Sequence, residues 1–121
     1  DHVIAVFKKA IENGAESIII GDTVGVLQPH TTSHLMDTIK DRLEWNQGNK
    51  KIPIGIHTHN DFGLAVSNTL VAVYHGATLP HTCVNGYGER AGNAAFEEVV
   101  VNLERMNIDT GIDQGKIMEL S

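Results

Sequence analysis

An α/β fold built on a parallel sheet is predicted for these 121 residues by three observations. Short β-branched runs begin near residues 18, 54 and 82, helical patterns lie before, between and after them, and glycine or polar turn chemistry punctuates the joins. The order α-β-α-β-α-β-α-α makes repeated βα units, whose right-handed crossovers lay the strands side by side in one direction. A closed eight-unit barrel takes roughly 250 residues, so three strands with their helices supply about half of one, a partial (β/α)8 barrel. A small open α/β sheet satisfies the same pattern.

Taken in order, residues 2–13 carry Ile4, Phe7, Ala10 and Ile11 at helical spacing and stop at "NGA", where Gly14 can take the left-handed conformation that ends helices. "ESIIIGDT" is a β-branched run between polar residues, the signature of a strand buried on both faces. Thr32 or Ser33 is the expected cap of a second helix, in which Leu35, Ile39 and Leu43 recur every fourth residue to about Trp45, and "NQGNKK" breaks it. "IPIGIHTH" alternates as a strand. "GLAVSNTLVAVYHGA" reads as a small-residue helix closed by Gly76, and "LPHTCVNG" as the third strand. "NAAFEEVVVNLERM" forms another helix, after which Asp113 is placed to cap a last one.

Bulk properties exclude several function classes. Nine Lys and Arg against fifteen Asp and Glu leave a net charge of −6, and the basic residues form no cluster, so neither nucleic acid nor an anionic membrane is an expected partner. No apolar run approaches the roughly 18 residues of a membrane span, and no signal-peptide pattern opens the chain. A single cysteine, Cys83, rules out an intrachain disulfide and any CxxC site, which fits a reducing, cytoplasmic setting. The chain opens without methionine inside a helical pattern. Residues 1–121 therefore read as an excised piece of a longer chain.

Three segments carry chemistry. In "HTHND", residues two apart on a strand share a face, so His57 and His59 point together while Ile52, Ile54 and Ile56 point away. Gly55 leaves room beneath them, and the carboxyl end of a parallel strand is where α/β enzymes place ligands. This suits two imidazoles on one divalent ion; a hydrogen-bonded histidine pair is the plainer alternative. In "VNGYGERAGNAAFEE", Gly86, Gly88 and Gly92 permit a backbone closed to other residues. Asn85, Glu89, Arg90 and Asn93 crowd among them as if for an anionic, oxygen-rich ligand. In "GDTVGVLQP", Asp22 and Thr23 follow a strand directly, where a simple turn bonded to its own backbone is the competing account.

Together these segments resemble the metal-dependent family that contains 2-isopropylmalate synthase, citramalate synthase, homocitrate synthase and hydroxymethylglutaryl-CoA lyase. The likeness runs through "GDTVG", "HTHNDFGLAVSNT", "NGYGERAGNAAFEEVV" and "TGID", in the family's order. It implies the later strands of a TIM barrel, ending at the "NGYGERAGN" loop. By this resemblance His57, His59 and Asn93 match ligands of a divalent Zn, Mn or Mg ion, and Thr23 matches the threonine that helps hold a 2-oxo acid's carboxylate. Asn85 joins it as a substrate-binding candidate. Glu89 and Arg90 match the "GER" loop on the acyl-CoA side and are the catalytic candidates. The family's first-strand "RDG" motif, with its aspartate ligand and catalytic arginine, does not occur in the chain.

The family's lyases carry a reactive cysteine in the loop that here reads "GYGERAGN", so the resemblance favours a synthase over a lyase, with 2-isopropylmalate synthase first and citramalate synthase second. Cys83, just before that loop, reads as a small core residue inside the strand. The resemblance implies a Claisen-type acyl transfer from acetyl-CoA to a short 2-oxo acid, as in branched-chain (leucine) biosynthesis, by a homo-oligomeric protein. The competing class is no enzyme at all: a truncated barrel fragment that self-associates without activity.

Overall fold

The computed structural model describes residues 1–45 and 52–121, so the "NQGNKK" segment, residues 46–51, lies outside them. Among the described residues the elements run α1 (His2–Glu12), β1 (Ile18–Asp22), α2 (Pro29–Arg42), β2 (Ile54–Thr58), α3 (Ala65–Tyr74), β3 (Leu79–His81), α4 (Phe96–Arg105) and α5 (Ile117–Leu120). Single 3-10 turns at Val84–Gly86 and Gln114–Lys116 precede the last two helices. The sheet is parallel in the order β1-β2-β3, with Ile18 opposite Ile54, Gly21 opposite His57, and His57 opposite His81. None of the described helices is long and apolar enough to cross a membrane.

The core lies between one sheet face and the helices. Ile18, Ile20, Ile54 and Ile56 share strand parity and meet Ile4 of α1, Met36 and Ile39 of α2 and Ala72 of α3. A second cluster joins α3 to α4 through Ala65, Ala94, Val99 and Leu103. Small residues on α3 let it lie close to β2, and its buried polar groups are satisfied: Thr58 Oγ1 donates to the Ala65 carbonyl at 3.0 Å and lies 2.9 Å from Thr69 Oγ1. Asn68 Nδ2 donates to the Leu27 carbonyl at 2.8 Å, while its Oδ1 accepts from Thr32 Oγ1 at 3.1 Å. These bonds tie the loop after β1 to the helix after β2, both of which frame the carboxyl end of the sheet.

Three expectations change. First, β1 is buried on one face only: Ile18, Ile20 and Asp22 are covered, whereas Ile19 on the opposite face is 47% exposed. The helices pack against a single side of this sheet. Second, α2 starts before Thr32 and Ser33. Pro29 at the first helical position has its φ already set, and Thr31 Oγ1 accepts from the Gln28 N–H at 2.9 Å, so the cap forms at Gln28 and Thr32 is left inside the helix to meet Asn68. Third, β3 is only the first three residues of "LPHTCVNG". Its ladder to β2 ends at His81, and Cys83 instead donates its N–H to Ala94 O at 3.0 Å and accepts from Phe96 N at 2.9 Å. The returning chain takes over the backbone bonds that a longer strand would have needed. At the carboxyl end of the chain Asp113 does cap, accepting from Gly115 N, but it caps the 3-10 turn that leads into α5.

Candidate functional site

All the singled-out residues lie at the carboxyl end of the sheet or in the three loops that leave it. Strand parity puts Ile19, Gly21, Gly55, His57, Leu79 and His81 on the face away from the helices. His59, one step beyond β2, keeps the parity of His57, and their Nε2 atoms stand 3.3 Å apart with ring centroids at 5.0 Å. An isolated antiparallel bridge pairs His59 with Asn93, and Asn60 N donates to Gly92 O at 2.9 Å. The glycine loop is thereby folded back over the strand end, and Asn93 Nδ2 comes to 3.4 Å from His57 Nε2.

Glycine is required where this loop crosses itself. Gly92 has φ +87°, and a Cβ there would strike the carbonyl oxygen of Gly86, which already accepts from Asn93 N at 2.9 Å. A Cβ on Gly88 would strike Asn93 Oδ1. The two glycines are thus the space in which Asn93 is held.

The donors suit a divalent ion. Bonds of roughly 2.0–2.1 Å at octahedral to tetrahedral angles separate ligand atoms by roughly 3.0–3.4 Å, which covers the spacings from His57 Nε2 to His59 Nε2 and to the Asn93 amide. A half-turn of that amide offers its oxygen to the same space. Among the described residues, three His, Cys, Asp or Glu side chains nowhere converge as a metal site, so the local set is two imidazoles and one amide. His59 Nδ1 is buried and has no hydrogen-bond partner among the described residues. His57 is held below the ordinary imidazole value of 6.5, first by burial, then by repulsion from His59 and His81, which keeps its lone pair free at neutral pH.

The remaining residues separate into distinct roles. Thr23 is exposed just beyond β1, with Oγ1 above Gly21 on the histidine face. Asp22, buried, accepts from Val26 N at 3.0 Å and Leu27 N at 3.2 Å, and so shapes its own turn. Asn85, at φ +56°, donates its N–H to both carboxylate oxygens of Glu97 and lines a cleft of about 200 Å³ with Asn60, Asn93 and Glu98. Glu89 is exposed. Arg90 forms a fork on Asp61, Nε to Oδ1 at 2.7 Å and Nη2 to Oδ2 at 2.9 Å, and this guanidinium holds the Asp61 carboxyl below the usual carboxylate range. Cys83 is half-buried outside the strand, with Sγ 3.8 Å from Asn93 Oδ1, and not in the core as expected; the backbone leaves the sheet before reaching it.

Two residues of this cluster escaped the sequence. His81 stands opposite His57, ring centroids 5.7 Å apart, because Leu79 pairs with Gly55 and sets the register of the three residues of β3. Its parity was legible; its register was not. Asp61 was visible in "HND", but only the fold brings it to Arg90.

The HMGL-like family model matches residues 1–121. The 2-isopropylmalate synthase of Methanocaldococcus jannaschii is 45% identical over 122 residues, covering 100% of this chain and 22% of its own length. A Methanosarcina acetivorans protein provisionally named (R)-citramalate synthase is 43% identical over 118 residues, covering 97% and 23%. The chain thus spans less than a quarter of these relatives. Among solved structures, an HMG-CoA lyase from Acinetobacter baumannii in complex with coenzyme A and 3-methylmalate superposes with a TM-score of 0.80 at 24% identity, over 98% of this chain and 39% of the lyase chain. At that identity the likeness is one of fold, and it matches a partial barrel.

Proposed function

This chain belongs to the HMGL-like family, and from that premise we propose that it is the later part of the TIM-barrel catalytic domain of a cytoplasmic acyltransferase, 2-isopropylmalate synthase-like, that condenses acetyl-CoA with a short 2-oxo acid. The observation that carries the reading is the meeting of His57, His59 and Asn93 at the carboxyl end of a parallel sheet, enforced by the His59–Asn93 bridge. The relatives' names favour a synthase, with citramalate synthesis as the second reading.

In this proposal His57 Nε2, His59 Nε2 and the Asn93 amide oxygen hold a divalent ion of the Zn, Mn or Mg class. When bound, it supplies Lewis-acid polarisation of the ketone and a sink for developing negative charge. Thr23, exposed on the same face, is assigned to the 2-oxo acid's carboxylate. Asn85 and the polar cleft beside Asn93 are assigned to substrate, and Glu89, exposed on the third loop, to the acyl-CoA side. The preceding strands of the barrel would cover Ile19 and Leu79 and add a carboxylate ligand. Produced alone, the chain would leave that apolar face wet, and it should self-associate and stay inactive.

Full-length protein given acetyl-CoA and 2-oxoisovalerate should release free CoA thiol, and the release should stop with chelator. Release with pyruvate alone would select citramalate synthesis; release with neither acid would refute the acyltransferase reading.

The depressed His57 sets the pH dependence of ion binding. A proton and an ion compete for the same lone pair, so an imidazole held below 6.5 keeps its affinity through neutral pH and loses it only on the acid side of that value. Zn²⁺ affinity measured from pH 5 to pH 8 should therefore be level at the upper end and bend below 6.5. A bend above 6.5 would contradict this account of His57.

A further inference from the structure

We propose that Arg90 and Asp61 form a clasp that locks the loops after β1, β2 and β3 into one unit, and that through it the pair positions His59 and Asn93; this second step rests on the metal reading above. The geometry spends the guanidinium on the protein itself. Besides its fork on Asp61, Nη2 donates to the carbonyl of Thr23 at 2.7 Å, so one side chain from the third loop holds both the second and the first.

The first loop also packs on the second directly. Gly25, at φ +66°, lies so close that a Cβ would stand 2.7 Å from Asp61 Oδ2 and 3.0 Å from Asp61 N. Arg90 itself has φ +58°, a left-handed conformation disfavoured for any residue with a Cβ and kept where surrounding contacts over-determine it. An isolated ion pair at a half-exposed site contributes little to stability. A bidentate fork with a third bond to a backbone carbonyl, however, has the geometric specificity that fixes loops relative to each other. Each end of the clasp adjoins a proposed ligand: Asp61 follows His59 by two residues and Arg90 precedes Asn93 by three. In this proposal Arg90 acts as a positioning residue, where the family resemblance implied a catalytic one.

Two conservative variants test this in the full-length protein. Arg90→Lys keeps the charge and loses the fork; Asp61→Asn keeps the shape and loses the charge. Amide hydrogen exchange should rise in both variants at the 22–25, 59–63 and 87–93 loops together, while α3 and β2 stay protected. Zn²⁺ affinity by calorimetry should fall about tenfold in each, and the double variant should be no weaker than either single one, because both break the same unit. Loosening confined to 87–93 would overturn the clasp. Joint loosening with wild-type Zn²⁺ affinity would overturn its positioning role. A raised KM for acetyl-CoA in Arg90→Lys, with exchange and affinity unchanged, would make Arg90 a substrate contact and refute the proposal. Failure of the wild type to bind Zn²⁺ would refute the metal reading, and the exchange pattern would then decide the clasp by itself.

Discussion

Full-length protein carrying His59→Ala is expected to lose divalent-ion binding by at least about a hundredfold, and thiol release with it. Partners that merely orient a metal ligand are worth roughly 10–100-fold in affinity; removal of a ligand itself should exceed that. His59 is 8% exposed, stands 3.3 Å from His57 Nε2 and is bridged to Asn93, so its loss removes one of the two imidazoles of the proposed ligand set. The fold should survive the substitution. His59 lies on the face away from the Ile18, Ile20, Ile54 and Ile56 core, and its backbone bridge does not depend on the imidazole. Two measurements separate the outcomes: calorimetric titration with Zn²⁺, and the rise in Tm on adding the ion, which the wild type should show and His59→Ala should not. Wild-type affinity in this variant would remove His59 from the ligand set.

Gly92→Ala is expected to damage both loop and site, with a stability loss on the order of 3 kcal/mol. The new methyl meets backbone, the Gly86 carbonyl, and not a side chain that can turn aside, and φ at +87° disfavours any Cβ. Relief requires moving one strand of the crossing. That puts at risk the bonds from Asn93 N to Gly86 O, from Gly92 N to Glu89 O and from Asn60 N to Gly92 O, each 2.9 Å long. Gly88→Ala supplies the contrast. Its methyl meets the end of the Asn93 side chain, which can rotate away, so Gly88→Ala should lower ion affinity with a much smaller loss of stability. Urea unfolding of the two variants beside ion titration checks the pair: equal stability losses would mean that the loop crossing is not the constraint described.

Much of this was legible in the sequence, and the successes share a cause. Ile4, Phe7 and Ile11 recur at helical spacing and α1 forms there; His57 and His59 share strand parity and their rings meet. Such readings use the 3.6 and 2.0 periods of single elements, which backbone sterics impose whatever the rest of the chain does. The errors were relational. The cap of α2 shifted to Gln28 because Pro29 and Thr31 together made an earlier start, and β3 stopped at His81 because residues 94–96 competed for Cys83. Three isoleucines imply burial of β1 on both faces; within residues 1–121 only the face under the helices is covered, and Ile19 lies on the other, where the proposed preceding strands would pack.

By itself the sequence determined the order of elements, the shared face of the two histidines, the glycine-rich loop that carries Asn93 and, through its motifs, the family. Those properties are written in local backbone preferences and in residue types at short spacing. Tertiary structure alone decided that His81 stands beside His57, that Asn93 reaches the histidines through a bridge across 34 residues, and that Arg90 spans 29 residues to Asp61 and 67 to the Thr23 carbonyl. Strand register and loop-to-loop ion pairs depend on where long connections close, and closure entropy changes only slowly with loop length, so no local pattern singles out the partner.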